Sequence, residues 1–126
     1  MRRLARLSIP LCLLAPVAGC GKDDQPGRSV TVAEGREVVV AGDEYGFDPE
    51  TITAPPGEVV LTLDNAGNLA HNLEIHQGDV ELAGTQSITK GRRSTIRLDV
   101  KPGEYRLVCT VGDHEELGMT GSLQVR

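Results

Sequence analysis

From Glu37 to Val125 the chain repeats one device: apolar residues at alternate positions, in short runs that Gly, Pro, Asn or Asp then interrupts. A period of two buries one face of an extended strand and leaves the other toward solvent, whereas a helix needs a longer return. Val59, Leu61 and Leu63 point one way, with Glu58, Thr62 and Asp64 mainly the other. Leu73 and Ile75 alternate with Asn72, Glu74 and His76, and Ile96, Leu98 and Val100 alternate with Thr95, Arg97 and Asp99. After the turn residues Lys101 to Glu104, Tyr105 and Leu107 alternate with Arg106 and Val108, and Leu123 and Val125 form the apolar side of a last strand. Glu37 to Ala41 reads as a Val-rich first strand, and Thr51 to Ala54 as a short extended piece before Pro55-Pro56-Gly57. Neither a sustained helical period nor an internal repeat occurs. The pattern predicts an all-β sandwich or barrel.

Four residues with metal-binding side chains fall on this frame in a telling way. Cys109, His114 and Met119 are separated by four residues in each gap, and His71 lies upstream. His71 is in phase with Leu73 and Ile75, Cys109 with Tyr105 and Leu107, and Met119 with Gly121, Leu123 and Val125, so three of the four face the interior. His114 sits in the loop between the strand that Cys109 ends and the strand that Met119 begins. One thiolate, two imidazoles and a thioether form the donor set of a blue-copper electron-transfer site. Soft sulfur suits Cu(I) and nitrogen suits Cu(II), so a mixed set is tolerable to both, provided a stiff support holds it. Taken alone, Cys109 has a plainer reading as an inert buried cysteine.

The first 19 residues belong to a different kind of segment. Arg2, Arg3 and Arg6 precede the mostly apolar run Leu7 to Gly19, which closes as Val17-Ala18-Gly19-Cys20. A basic start, a short apolar stretch and a small-residue end read as a secretory signal, too short and too broken by Pro10 and Pro16 to span a bilayer. The Val17 to Cys20 end resembles the lipobox of bacterial lipoproteins, which implies lipidation of Cys20; a plain secretory signal cut nearby is the alternative. The expected organisation is therefore a signal peptide over 1–19, a flexible tether with lipidated Cys20 over 20–36, and a folded domain over 37–126. Residues 21–36 are polar and include Lys22, Asp23, Asp24, Pro26 and Gly27, as befits a tether. Cys12 would leave with the signal and Cys20 would carry lipid, so Cys109 is the one thiol left in the domain and no internal disulfide framework can form. Metal ligation is a reason to keep a lone thiol in an oxidising compartment.

Charge narrows the partners. From Cys20 onward ten Lys and Arg stand against eighteen Asp and Glu, a formal net of minus eight. Phosphate backbones would be repelled, which excludes nucleic acid, and an acidic surface favours basic patches on other proteins. His76 is in phase with Glu74 and is expected in solvent. Tyr45, Phe47 and Tyr105, the only aromatics, are expected in the core. Lys90, Arg92 and Arg93 flank a turn and read as a solvated loop.

From about Val38 onward the chain resembles the cupredoxins, the small blue-copper proteins, and in particular members with auracyanin- or rusticyanin-like ligand spacing. The resemblance rests on Tyr45-Gly46-Phe47-Asp48-Pro49, Pro56-Gly57-Glu58-Val59, Asn65-Ala66-Gly67, His71-Asn72, Pro102-Gly103-Glu104-Tyr105, the Cys109-His114-Met119 run and Gly118-Met119-Thr120-Gly121. It implies a Greek-key β-sandwich holding one type 1 copper ion, bound strongly by His71, Cys109 and His114 and weakly by Met119. Asn72 and Thr110 would steady the ligand loops by hydrogen bonds. The exposed edge of His114 would pass single electrons. Many relatives carry uncharged residues there, whereas Asp113, Glu115 and Glu116 surround His114, so the expected redox partner has a basic docking surface.

Three function classes compete on these residues. A membrane-anchored electron carrier, exported and held by lipid alone at the outer face of a membrane or in the periplasm, fits all the features, with a monomer as the default. Copper trafficking or resistance is the alternative, although such proteins favour open sites rich in methionine and this chain has two, one of them the initiator. An enzyme would need a second metal or an open coordination position. With three histidines in all, two already used, no second copper cluster can be assembled, so no enzymatic activity is expected.

Overall fold

Two faces that are apolar at alternate positions close on each other in the computed structural model, which describes residues 27–126. The expected signal peptide over 1–19 and the part of the expected tether over 20–26, Cys20 included, lie outside the described residues. Ten strands follow in order: β1 (Ser29–Thr31), β2 (Glu37–Asp43), β3 (Gly46–Asp48), β4 (Thr51–Ala54), β5 (Gly57–Asn65), β6 (Glu74–Gln77), β7 (Val80–Gly84), β8 (Arg93–Val100), β9 (Gly103–Val108) and β10 (Thr120–Val125). They form one sheet ordered β1-β4-β10-β9-β6-β7 and a second ordered β3-β2-β5-β8. Strands distant in sequence lie side by side: β10 runs parallel to β4, and β2 parallel to β5. The result is the expected Greek-key β-sandwich, and no helix occurs among the described residues.

The alternation explains the packing. Val38 and Val40 of β2, Val59, Leu61 and Leu63 of β5, and Ile96 and Val100 of β8 face Ile52, Ile75, Tyr105, Leu107, Leu123 and Val125 across one continuous core. Burying a side chain of this size is worth about 1.5–3 kcal/mol, which is why the alternating positions dictate the register. β5, which lies between β2 and β8, departs from simple alternation: every residue from Val59 to Leu63 is buried. Thr62, on its outward face, satisfies its hydroxyl on the Glu37 carboxylate and on Thr95 Oγ1 at 2.7 Å.

Three expectations need correction. The tether does not extend to Arg36: Ser29, Val30 and Thr31 pair in parallel with Thr51, Ile52 and Thr53, so the ordered unit begins earlier. Tyr45 is not a core residue; it is 36% exposed, while Phe47 and Tyr105 are buried as expected. His76 is half-buried rather than solvated, because Glu74 Oε2 sits 2.8 Å from its Nε2.

The topology gathers the ends of three segments. β9 and β10 are antiparallel, with Val108 opposite Thr120, so the residues just beyond them, Cys109 and Met119, meet across the ladder. β6 lies on the other side of β9, with Glu74 opposite Val108, which brings the chain just before β6 to the same end. His71 is in that stretch, pinned by an isolated bridge to Ile88.

Candidate metal centre

Cys109 and Met119 are tied through their main chains. The Cys109 N–H donates to the Met119 carbonyl at 3.1 Å, and the Met119 N–H donates to the His114 carbonyl at 2.9 Å. His114 occupies a series of tight turns, held by its own N–H on the Val111 carbonyl and by Leu117 N–H on Asp113. Four residues per gap suffice because the turn between the two sulfur-bearing positions folds back on itself. On the other side, the His71 N–H and carbonyl exchange hydrogen bonds with Ile88 at 3.0 and 2.8 Å.

The Asn72 side chain joins the two halves. Its Oδ1 accepts the Thr110 N–H at 2.8 Å, and its Nδ2 donates to Thr110 Oγ1 at 2.8 Å and to Glu74 Oε1 at 3.0 Å. The Thr110 hydroxyl also donates to Glu74 Oε1. Burial pushes the Glu74 carboxyl up, but the donors Thr110, His76 and Asn72 and the charge of His76 outweigh it, leaving it below the ordinary value.

His71, Cys109 and His114 are all buried, and their donor atoms lie within 4.8 Å of one another. The two Nδ1 atoms are 3.2 Å apart, and Cys109 Sγ stands 4.0 Å from His71 Nδ1 and 3.6 Å from His114 Nδ1. The point equidistant from all three lies about 2.1 Å from each, within the roughly 2.0–2.3 Å typical of metal–nitrogen and metal–sulfur bonds. One thiol sulfur and two imidazole nitrogens converge on that point from buried side chains, and a soft cation there would satisfy all three lone pairs. The residues therefore fit copper. Met119 is fully buried beside them; a Cβ added at Gly42 would stand 3.2 Å from its Cε, so glycine leaves that side chain its room.

One contact at the site has no counterpart in the sequence reading. Glu44, in the turn between β2 and β3, places Oε1 3.0 Å from His71 Nε2 and accepts the N–H groups of Asn68 and Leu69 at 2.7 and 2.9 Å. The Leu69 amide first, and His71 next, hold this carboxyl below its ordinary value. A carboxylate accepts only, so Nε2 carries the hydrogen, and in the neutral ring Nδ1 then turns its lone pair toward the thiol. The available sequence signal was Gly67, the mark of a close approach: a Cβ there would collide with Glu44 Oε1 and stand 2.9 Å from His71 Nε2.

His114 keeps 7% of its surface exposed, and Tyr45 lies against it with ring centroids 4.9 Å apart. Among the described residues, three of the six exposed large hydrophobics, Tyr45, Leu69 and Leu117, belong to the loops that carry the site. Of the nearby acids, Glu115 is paired with Arg106, whereas Asp113 and Glu116 are exposed. His76 and the Lys90, Arg92 and Arg93 cluster take no part in the donor group.

A two-sheet sandwich with one thiol and two imidazoles clustered at its end defines a cupredoxin. The family model for the cupredoxin-like domain matches residues 11–123, and the chain belongs to that family. Among solved structures, a dithionite-reduced auracyanin from the photosynthetic bacterium Roseiflexus castenholzii is 22% identical, with 74% of this chain and 98% of that one covered and a TM-score of 0.68. Rusticyanin from Thiobacillus ferrooxidans is 21% identical, with 80% and 86% covered and a TM-score of 0.60. An azurin from Methylomonas sp. strain J is 16% identical, with 71% and 97% covered and a TM-score of 0.61. No curated protein sequence matches the chain. The cofactor that the family and the donor group together define is one copper ion.

Proposed function

We propose that this protein is a type 1 copper electron carrier in which His71 Nδ1, His114 Nδ1 and Cys109 Sγ are the strong ligands and Met119 the weak one. The convergence of three buried donor atoms at one end of a rigid sandwich carries this reading. Bound copper supplies a reversible one-electron change. The chain's own residues exclude water, hold the imidazoles and the thiolate at fixed separation, and so keep the cost of reorganisation low. The hydrogen bonds of Asn72 lock the His71 and Cys109 segments together, and those of Met119 close the loop on His114. A buried site of this kind weighs against trafficking, which needs an accessible site for exchange, and leaves no open position for a substrate.

Electrons would pass through the His114 edge, flanked by Tyr45 and by the apolar side chains of Leu69 and Leu117, with Asp113 and Glu116 as an acidic rim. A redox protein with a basic rim around an apolar contact complements that face. The protein is exported and anchored through lipid on Cys20 at the outer face of a membrane. Ser29 of β1 registers with Thr51 of β4, which registers with Ser122 of β10, three residues beyond Met119. The chain thus enters the sandwich near the end that holds the site, and the nine steps from Cys20 to Ser29 reach at most about 30 Å. Such a tether keeps the electron port close to partners that share the membrane.

Adding Cu(II) to the purified domain tests the reading. An intense blue absorption that Cys109→Ser abolishes, together with reversible one-electron voltammetry, is the expected result. A colourless, readily exchanged complex would transfer support to copper trafficking.

A further inference from the structure

Glu44 lies 27 residues from His71 in sequence, yet it is bonded to the ring nitrogen that faces away from the thiol. One oxygen, Oε1, receives three donors: the amides of Asn68 and Leu69 and the Nε2–H of His71. The surrounding chain is built to present it. The N–H groups of Ala66 and Gly67 donate to the Gly42 carbonyl at 2.9 and 3.1 Å, which fastens the 65–69 loop to the end of β2, two residues before Glu44. Asn65, 1% exposed, braces the same loop from within: its Nδ2 donates to the Leu69 and Ile88 carbonyls at 2.9 and 2.7 Å, and its Oδ1 accepts the Gly67 N–H. Any side chain at position 67 would stand between carboxylate and imidazole. The His71 side chain is fully buried, while that of Glu44 is 26% exposed, so the acid sits at the rim and reaches inward to its one buried partner.

We propose that Glu44 is a positioning residue for His71 that acts in two separable ways, by oxygen and by charge. The oxygen fixes the ring as the Nε2–H tautomer and turns Nδ1 toward Cys109 and His114. The charge makes His71 a stronger donor and favours the more highly charged metal state, since a carboxylate bonded to a ligating imidazole raises its basicity. The proposal rests on the copper reading above, but its first half concerns the copper-free protein and stands on its own measurement.

Two variants separate the effects. Glu44→Gln keeps an oxygen acceptor and removes the charge; Glu44→Ala removes both. In the copper-free protein, ring-nitrogen NMR is expected to show His71 as the Nε2–H tautomer in the wild type and in Glu44→Gln, and as a mixture in Glu44→Ala. With copper, Glu44→Ala is expected to lose about 10- to 100-fold in affinity, the usual cost of removing such a partner. Glu44→Gln is expected to lose roughly tenfold more affinity for Cu(II) than for Cu(I), which raises the one-electron potential by about 59 mV. If Glu44 only ties down the loop amides, unfolding stability falls in Glu44→Ala while the His71 tautomer and the Cu(II)-to-Cu(I) affinity ratio stay at wild-type values, and the proposal is overturned. A wild-type protein that binds no copper would overturn the function reading instead, with the tautomer comparison still deciding the role of the oxygen.

Discussion

Replacing Asn65 by alanine isolates the brace beneath the His71 segment. The side chain is buried, so water cannot take over its bonds, and its Nδ2 donates to two main-chain carbonyls, those of Leu69 and Ile88. The Ile88 carbonyl also receives the His71 N–H at 3.0 Å and keeps that partner, and the Gly67 N–H keeps the Gly42 carbonyl, so neither is orphaned. The cost therefore comes from two lost donations and a Leu69 carbonyl left without its side-chain partner. At about 1 kcal/mol per bond plus part of a desolvation penalty, it amounts to about 2–3 kcal/mol. For a domain of this size that corresponds to a melting temperature lower by about 10–20 °C. Urea unfolding of the copper-free domain, followed by circular dichroism, reads the change as a shift in midpoint at constant slope. A loss under about 0.5 kcal/mol would refute the claim that Asn65 holds the loop, because it would place the stabilisation in the backbone bonds alone.

Three further expectations follow from particular contacts. Gly42→Ala places a methyl 3.1 Å from Leu63 Cδ1 and 3.2 Å from Met119 Cε, and calorimetry should register an overpacking cost of about 1–3 kcal/mol. Glu74, whose folded carboxyl lies below its ordinary 4.5, contributes stability that is present above that pH and fades as pH falls through the depressed folded value. The stability gap between wild type and Glu74→Gln in urea should therefore be open at neutral pH and narrow in acid; a gap that widens in acid contradicts the sign. Electron exchange with a cationic redox protein should slow as salt rises, and the Asp113→Asn, Glu116→Gln double variant should flatten that dependence in stopped-flow measurements, since exposed charges steer association within a Debye length.

The parts of the fold that were legible in the sequence are those where burial imposes a period. Ile52 and Ala54, Ile96 and Val100, and Leu123 and Val125 announce β4, β8 and β10 because one face of each must be apolar. β7 gave no such signal: as the outer edge of its sheet it is exposed at four of five positions, so nothing in Val80–Gly84 needs to alternate. β1 pairs with β4 and sets Val30 and Val32 against the core, but at three residues it is too short to stand out from the polar stretch before it, and β3 is likewise too short to show a period. At the site, the burial of His71, Cys109 and Met119 agrees with the phases read from their strands, and His114 joins them from the loop in which the sequence puts it. Glu44 was invisible because an acid beside a turn is ordinary, and its partner is set by the docking of the 65–69 loop onto β2. Tyr45 was misjudged for a related reason: a lone aromatic before a glycine packs against whatever the fold brings to it, here the His114 ring.

X-ray absorption at the copper edge of the loaded protein, recorded oxidised and reduced, probes the central geometry without regard to partner or location. The account predicts one short sulfur and two nitrogen neighbours in both states, with the sulfur lost in Cys109→Ser. A shell of nitrogen and oxygen only, or a change in ligand number on reduction, would contradict it.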